Sequence, residues 1–325
     1  MNCSELQSLT FVDLHPAVGD LRDEVLAGLK ETPKTLPPKL FYDLVGSELF
    51  ELITGLPEYY PTRTEIAILE DRAAEIAELM GEDCVLIEYG SGASRKIRIL
   101  LDALGGDDRY VAIDISKQYL LESTAKVVEL YPRLDAYAVC ADYSRPLELP
   151  AEALDGAGRR VVFFPGSTIG NFKLADAREF LRNTAELLGP GGALLIGVDL
   201  KKDKAILDAA YNDAEGVTAR FNLNLLTRLN RELDANFDVE AFEHRAFYND
   251  AAGRIEMHLV SRQAQVIDIS DTRIEFAEGE SIHTENSHKF TIEEFQSLAA
   301  SVGFKADHVW TDDDDLFTVH FMTVR

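Results

Sequence analysis

The sequence predicts an α/β fold, with a doubly wound, mostly parallel sheet and a second α+β domain. From residue 83 to residue 199, short apolar runs alternate with segments of helical spacing. Strands covered on both faces are apolar throughout, and strands that alternate with helices form parallel βαβ units. After residue 199 the alternation stops, and strand-like runs separated by turns follow up to about residue 287. We therefore expect one sheet that is interrupted by an insertion.

The individual strands of this sheet are predicted from the apolar runs. Five runs fit parallel strands, at residues 84–89, 110–115, 136–141, 161–164 and 193–198. Between the first two runs, Ile97, Leu100, Leu101 and Leu104 make the apolar stripe that is typical of a helix.

The end of the chain predicts the return to this sheet. Thr291 and Glu294 have the spacing of a capping box, and the helix that they begin is expected to end at Gly303. Two further strands are predicted at 306–311 and 316–324. These elements would complete the sheet that begins near residue 84.

The insertion has a pattern of its own. Residues 242–248 and 254–261 flank a turn and predict a hairpin. We expect the insertion to join the N-terminal residues in the second domain. The predicted boundaries are 61–200 plus 288–325 for the sheet domain, and 1–60 plus 201–287 for the second domain.

The composition indicates which partners and which cellular compartment to expect. The net charge of −25 would repel phosphate backbones and anionic lipids, so nucleic-acid and membrane partners are not expected. Residues 1–30 lack the pattern of a signal peptide. Cys3, Cys84 and Cys140 form no C-x-x-C pair and are expected to be free thiols in a cytoplasmic protein. His244 and His258 lie on adjacent predicted strands without a ligand-spaced cluster, so no metal site is expected.

A glycine-rich turn follows the first predicted strand, within Glu88–Gly92. Glycines at such a turn let the backbone approach a ligand, and nicotinamide, flavin and S-adenosylmethionine proteins share this arrangement. The third glycine of the dinucleotide pattern is replaced by Arg95. Asp114 ends the second strand, where a carboxylate can bind ribose hydroxyls, and Asp142 ends the third, where it can meet an adenine amino group.

A second turn, Gly189-Pro190-Gly191-Gly192, precedes the fifth strand and resembles the class I methyltransferase fold. This resemblance implies a sheet of seven strands, the last of them antiparallel, and S-adenosylmethionine as the cofactor. The candidate cofactor-binding residues are Glu88, Gly90, Ser91, Gly92, Lys96, Asp114, Asp142 and Tyr143.

Several longer segments do not belong to that general fold. Together they resemble the histidine-specific Nα-methyltransferase family of ergothioneine biosynthesis, from about residue 34 to residue 325. This family converts free histidine to trimethylhistidine (hercynine) with three molecules of S-adenosylmethionine. The segments are KLFYDLVGSELF (39–50), LPEYYPTRTE (56–65), FPGSTIGNF (164–172), GVDLKKD (197–203), FN (221–222) with NREL (230–233), RIEM (254–257) and TENSHKF (284–290).

The resemblance implies roles for residues at the amino-acid end of the substrate. Asn171 would hold the backbone-like end of histidine, and its amide offers both donors and an acceptor. Tyr59 and Tyr211 would bind the amino and carboxylate groups. Tyr42 would close over the reacting nitrogen. Because the amine must lose a proton before each transfer, we hypothesise that Tyr42 also relays this proton, directly or through water. Tyr42 and Asn171 are thus the candidate catalytic residues.

The resemblance also implies how the imidazole is recognised. Glu285 would accept its N–H, Ser287 would serve the other ring nitrogen, and Met257 and Phe50 would form apolar walls. Taken singly, most of these residues also fit ordinary packing or an exposed strand, so the interpretation depends on their joint occurrence.

Three alternatives stay open on the sequence alone. The first is a related methyltransferase acting on another free amino acid. The second is a nicotinamide-dependent oxidoreductase, against which the replaced glycine at Arg95 and the Gly189–Gly192 turn both argue. The third is a binding protein that has lost methyltransferase activity. No obligate protein partner is indicated.

Overall fold

The computed structural model describes residues 9–14, 19–92, 95–106, 108–154 and 158–325. Cys3, predicted to be a free thiol, lies outside these residues. The chain divides into two compact units. Unit 1 comprises the described residues of 1–15, 61–201 and 290–325, and unit 2 those of 16–60 and 202–289.

Unit 1 is built on an eight-stranded sheet with helices on both faces. Elements are numbered in chain order through both units. The strands are β1 (Leu9–Asp13), β3 (Val85–Tyr89), β4 (Arg109–Asp114), β5 (Asp135–Cys140), β6 (Arg160–Phe164), β7 (Ala193–Asp199), β13 (Phe304–Thr311) and β14 (Phe317–Val324). The helices are α3 (Tyr60–Met80), α4 (Arg95–Leu104), α5 (Lys117–Leu130), α6 (Ala151–Leu154), α7 (Leu174–Leu188) and α10 (Ile292–Ala300).

The strand order is β1-β5-β4-β3-β6-β7-β14-β13. The strands from β1 to β7 in this order pair in parallel, and β14 is antiparallel to both β7 and β13. The order reverses direction between β3 and β6, where ligands bind in open α/β sheets, at the carboxyl ends of the strands. The predicted doubly wound fold with an antiparallel closing strand is confirmed.

The sheet has one strand more than the seven expected from the sequence. This strand is β1, which pairs with β5 from Leu9 opposite Ala136 to Asp13 opposite Cys140. It lies at the sheet edge and is only partly buried. A short, half-exposed strand lacks the continuous apolar run that identified the others. Although residues 1–60 were expected in the second domain, β1 belongs to the sheet of unit 1.

The core of unit 1 forms two layers, because successive strand residues point to opposite faces. Leu86 packs on one face with apolar residues of α3, α4 and α5. Val85 and Ile87 pack on the other with residues of α7 and α10. The predicted capping box at Thr291 and Glu294 begins α10 and is confirmed.

Unit 2 combines a four-stranded sheet in the order β2-β12-β9-β8, a two-stranded β10-β11 ribbon and four helices. The strands are β2 (Lys34–Thr35), β8 (Phe242–Asn249), β9 (Arg254–Ser261), β10 (Gln265–Ile269), β11 (Thr272–Phe276) and β12 (Ser281–His288). The helices are α1 (Gly19–Leu29), α2 (Leu44–Thr54), α8 (Lys204–Ala210) and α9 (Val217–Glu232). The predicted hairpin is β8–β9, and it is confirmed.

One expectation from the composition concerns the cysteines. Cys84 and Cys140 are buried free thiols, as predicted. Across the described ranges, no helix combines the length and the apolar character needed to cross a bilayer.

Candidate active site

The glycine-rich turn of unit 1 lies directly after β3. Gly90 has a φ of +72°, in the left-handed region that favours glycine. The backbone N–H groups of Gly90 and Ser91 both donate to the carbonyl of Ile113 on β4, at 2.9 and 3.1 Å. The turn is therefore held against the neighbouring strand, with no Cβ at Gly90 or Gly92 to shield the backbone from a ligand.

Glu88 is buried beneath this turn. Tyr110 Oη donates to Glu88 Oε2 at 2.5 Å and lies 3.0 Å from Ser91 Oγ. Burial raises the pKa of Glu88 to about 7, an effect that the hydrogen bonds from Tyr110 and Ser91 partly oppose. In this arrangement the Glu88 side chain fastens the turn to the sheet, and direct contact with a cofactor stays a prediction.

Two predicted carboxylates end adjacent parallel strands. Asp114 is the last residue of β4, and its Oδ1 accepts from the Ser116 N–H at 2.7 Å. Burial raises the pKa of Asp114 to about 6. Asp142 follows β5 and accepts from the N–H and the hydroxyl of Ser144, at 3.1 and 2.5 Å. The structure thus brings both acceptors to the edge at which the turn lies.

Tyr143 lies beside this edge. Its ring stacks on Tyr89 with centroids 5.4 Å apart. An ideal Cβ built on Gly90 would lie 3.7 Å from the Tyr143 hydroxyl. The predicted residues Gly90, Asp142 and Tyr143 are therefore neighbours.

Lys96 makes a contact that the sequence did not predict. Its Nζ donates to Glu65 Oε2 at 2.5 Å, and Glu65 is fully buried on α3. The same carboxylate accepts from the Gly166 N–H at 2.9 Å. Glu65 thus joins α4 to the loop after β6, while direct binding of a cofactor by Lys96 stays a prediction.

Asn171 lies in the loop that follows β6. It ends a short 3-10 helix, Thr168–Asn171, and is half-buried. Ser167, with a φ of +56°, begins this loop, and its hydroxyl accepts from the Asp199 N–H at 2.9 Å. The carboxyl ends of β6 and β7 are thereby tied together, which places Asn171 at the ligand-binding edge of the sheet.

In unit 2, four predicted residues form an aromatic cluster. Phe50 contacts Tyr42 and Tyr59, with ring centroids 5.8 and 6.3 Å apart. Tyr59 contacts Tyr211 edge to face at 6.3 Å. Phe221 of α9, which was not selected from the sequence, packs against both Tyr42 and Phe50 at 6.0 and 5.9 Å. The cluster presents several ring faces and edges within one unit.

The predicted imidazole-binding pair lies on β12. Glu285 and Ser287 are two residues apart on this strand, so their side chains share a face. Tyr211 Oη donates to Ser287 Oγ at 2.8 Å, which links the aromatic cluster to the strand. Met257, on β9, is paired opposite Glu285 and is buried.

Glu285 is a buried residue whose carboxylate has no hydrogen-bond donor among the described residues. The residue is 8% exposed, and no donor to its carboxylate is found in the part of the chain that the structure describes. Burial raises its pKa to about 7, while the charge of Lys289 lowers it. Buried carboxylates are normally hydrogen-bonded, so an unsatisfied one indicates a place for a ligand N–H.

Asn222, which was not among the predicted site residues, stabilises this strand from α9. Its Oδ1 accepts from the Thr284 hydroxyl at 2.8 Å, and its Nδ2 donates to His244 Nδ1 at 2.9 Å. His244 Nε2 in turn donates to the Tyr211 carbonyl at 2.9 Å. Asn222 therefore couples the residues that precede Glu285 to the chain around Tyr211.

Three side chains on β9 and β12 concern the expected absence of a metal site. Glu256, His258 and His283 each place a ligand atom within 4.8 Å of the others. The two imidazole rings stack nearly parallel at 4.7 Å, however, and Arg254 donates to Glu256 Oε1 at 2.7 Å. Parallel rings do not aim their nitrogens at one point, so this group has the form of a hydrogen-bonded stack.

The residues missed from the sequence share one signal. Glu65, Phe221, Asn222 and Lys289 all lie within the segments that carry the family resemblance. Their roles depend on partners distant in the chain, so position within those segments was the only sign of them.

Comparison with known proteins gives the same assignment. The profile of the family described as "Histidine-specific methyltransferase, SAM-dependent" matches residues 21–324. The histidine N-alpha-methyltransferase of Mycolicibacterium smegmatis is 47% identical over 297 residues, which cover 90% of this chain and 91% of that protein. The enzyme of the same name from Mycobacterium tuberculosis is 45% identical, with 90% and 91% covered. Ergothioneine biosynthesis protein 1 of Neurospora crassa is 32% identical over 87% of this chain and 32% of its own length. The chain belongs to the histidine-specific, S-adenosylmethionine-dependent methyltransferases.

Proposed function

We propose that this protein transfers methyl groups from S-adenosylmethionine to the α-amino group of free histidine, three times in succession, to give hercynine. The observation that carries the substrate assignment is the buried Glu285 carboxylate, which accepts from no described donor and shares a strand face with Ser287. An acceptor and a hydroxyl at this spacing suit the two nitrogens of an imidazole.

The residues of unit 1 fit the cofactor. Gly90 and Gly92 leave the backbone open, and Asp114 and Asp142 offer carboxylate oxygens at the ends of adjacent strands. Asp114 would hold the ribose hydroxyls, and Asp142, beside Tyr143, the adenine. When bound, S-adenosylmethionine supplies a methyl group made electrophilic by its sulfonium. Glu88 and Lys96 would support this site through Ser91 and through Glu65.

The amino-acid end of histidine requires groups that bind a zwitterion. Asn171, Tyr59 and Tyr211 supply amide and hydroxyl groups for the amino and carboxylate functions. Only the neutral amine is a nucleophile, so the ammonium must lose a proton before each transfer. Tyr42 would relay that proton from the reacting nitrogen.

The aromatic cluster explains how a trimethylated product could be accommodated. A quaternary ammonium donates no hydrogen bond, but it is attracted to aromatic faces. Phe50 and Tyr59 contact each other at 6.3 Å and would stabilise the growing cation. Met257 would form an apolar wall of the ring site.

The test is a competition among substrates. The protein is incubated with S-adenosylmethionine and an equimolar mixture of the common amino acids, and the products are identified by mass spectrometry. We expect histidine alone to gain one, two and then three methyl groups. Methylation of a different amino acid would establish the alternative function, and an unmodified mixture would contradict both.

The cellular setting belongs to the same proposal. Free histidine is the expected small-molecule partner. The two buried free thiols, Cys84 and Cys140, support a reducing compartment such as the cytoplasm.

A further inference from the structure

Lys289 is a buried lysine that follows β12 and has no role in the assignments above. It is 2% exposed. Its Nζ donates to Ser287 Oγ at 2.8 Å and to Tyr211 Oη at 3.2 Å, and lies 5.1 Å from the centre of the Tyr211 ring. Burying an ammonium is costly unless it is well compensated, so its retention beside the ring-binding pair calls for a reason.

The contacts of Ser287 show what Lys289 does there. A serine hydroxyl has one hydrogen to donate and two lone pairs that accept. Tyr211 Oη and Lys289 Nζ each donate to Ser287 Oγ at 2.8 Å, so both lone pairs are used. Ser287 donates to no acceptor within the described ranges. Its hydrogen is therefore available to a ligand, and a ligand atom bound by Ser287 has to be an acceptor.

Glu285 imposes the opposite requirement on the ligand. An ionised carboxylate only accepts hydrogen bonds, so the ligand atom that it binds must carry a hydrogen. The positive charge of Lys289 favours the ionised carboxylate, because it lowers the pKa that burial raises. Glu285 and Ser287 together are then complementary to a ring with one N–H and one unprotonated nitrogen. A neutral imidazole meets this requirement in one tautomer, whereas an imidazolium carries two N–H groups.

We propose that Lys289 is a specificity-determining residue, which fixes Ser287 as a hydrogen-bond donor and so restricts the ring site to neutral azoles with one N–H and one bare nitrogen. The inference rests on the proposed function, since it takes the pair on β12 as the ring-binding site. Lys289 sets the selectivity through Ser287 and needs no contact with the substrate.

The test compares two ligands in the presence of S-adenosylhomocysteine. Histidine offers both ring nitrogens, while β-(2-thienyl)alanine has a ring of similar size with neither. Calorimetry gives the affinity for each, and their ratio is the selectivity. In Lys289→Met, we expect affinity for histidine to fall about tenfold to a hundredfold, the range of a hydrogen bond to a charged group. Affinity for the thienyl analogue should change by less than about threefold, so that selectivity collapses.

Lys34→Met is the matched control. Lys34 lies in the same unit, pairs with Glu280 and sits 4.9 Å from the centre of the Phe276 ring, but it contacts none of the proposed site residues. This variant should keep the wild-type selectivity. If Lys289→Met weakens both ligands equally, or leaves selectivity unchanged, Lys289 has only a structural role and the proposal is overturned.

A second pair of variants tests whether Lys289 acts through Ser287, even if Lys289→Met does not fold. Replacing both partners of a buried hydrogen bond by apolar groups is tolerated better than replacing one. Ser287→Ala should itself lower selectivity, and adding Lys289→Met should lower it no further. A further loss in the double variant would show that Lys289 does not act through Ser287. If wild-type protein fails to methylate histidine, the proposed function fails; if it does methylate histidine but these variants behave otherwise, only the role of Lys289 fails.

Discussion

The Thr284 hydroxyl donates a hydrogen bond to Asn222 Oδ1 at 2.8 Å, across 62 residues of chain. The pairing of β12 with β9 shifts register between His283 and Glu285, at Thr284. An irregular strand position needs support from outside the sheet, because its ladder hydrogen bonds are disrupted. Asn222 supplies that support next to the residue proposed to bind the imidazole.

Asn222→Ala should therefore lower both stability and histidine binding. The substitution takes the Asn222 amide away from His244 Nδ1 and the His258 carbonyl, while the Thr284 hydroxyl keeps the Met257 carbonyl at 3.1 Å. We expect this to cost about 2–4 kcal/mol of unfolding free energy. Urea denaturation measures this cost, and calorimetry measures the weaker binding of histidine. Asn212→Ala, at an exposed asparagine of the same unit, is the control. Unchanged stability in Asn222→Ala would show that the network contributes little.

The raised pKa of Glu285 makes stability depend on pH. Its pKa rises on folding from 4.5 to about 7, so the folded state disfavours the ionised form. The protonated carboxyl therefore contributes to the stability of the folded state at low pH. This contribution is fully present below pH 4.5 and is lost as the pH rises to about 7, a total of about 3 kcal/mol. Glu285→Gln should remove this loss. We expect the variant to gain stability over wild type at pH ~8 relative to pH ~5, while histidine binding falls about tenfold or more. The unfolding free energies of both proteins are measured by urea denaturation at each pH. The same difference between Glu285→Gln and wild type at both pH values would contradict the expected gain.

Gly197→Ala should disturb the contacts of Glu65 in unit 1. An ideal Cβ at Gly197 would lie 2.1 Å from Glu65 Oε1 and 2.9 Å from the Phe317 ring. The buried carboxylate would have to move away from Lys96 and Gly166, which we expect to cost about 1–3 kcal/mol. Thermal denaturation and titration with S-adenosylhomocysteine measure the two effects. At Gly55 a Cβ would meet only Leu52 O at 3.5 Å, so Gly55→Ala should be tolerated.

Tyr42→Phe tests the proposed proton relay. The substitution keeps an aromatic ring beside Phe50 and Phe221 but removes the hydroxyl. We expect kcat to fall about a hundredfold, as for loss of a general acid–base group, with little change in affinity for S-adenosylmethionine. Single-turnover kinetics across pH separate the chemical step from product release. Tyr137→Phe, at a tyrosine of unit 1 outside the site, is the control, and a wild-type rate in Tyr42→Phe would remove the relay role.

The parts of the fold that the sequence predicted correctly are those with a local physical signal. The fully buried strands β3 and β7 are nearly continuous apolar runs, and Thr291 with Glu294 has the spacing of a capping box. β1 was missed because its burial is partial and its pairing partner, β5, lies more than a hundred residues away.

In the candidate site, too, some features follow from local sequence patterns and others depend on contacts between distant residues. The positions of Glu285 and Ser287 on one strand face follow from local spacing. The contact of Lys289 with Tyr211 spans 78 residues and that of Glu65 with Gly166 spans 101. No local pattern distinguishes such a lysine or glutamate from one on a solvated helix or strand, because the distinction lies in tertiary contacts.

The place of β14 in the sheet has a consequence for biosynthesis. β7 is buried along its whole length between β6 and β14, yet residues 200–316, which include most of unit 2, lie between β7 and β14 in the chain. While the nascent polypeptide emerges from the ribosome, β7 offers an unpaired apolar edge until β14 has been made. Such edges invite association between chains. We therefore expect the sheet to be completed only after β14 has left the ribosome, and premature termination before β14 to yield aggregates.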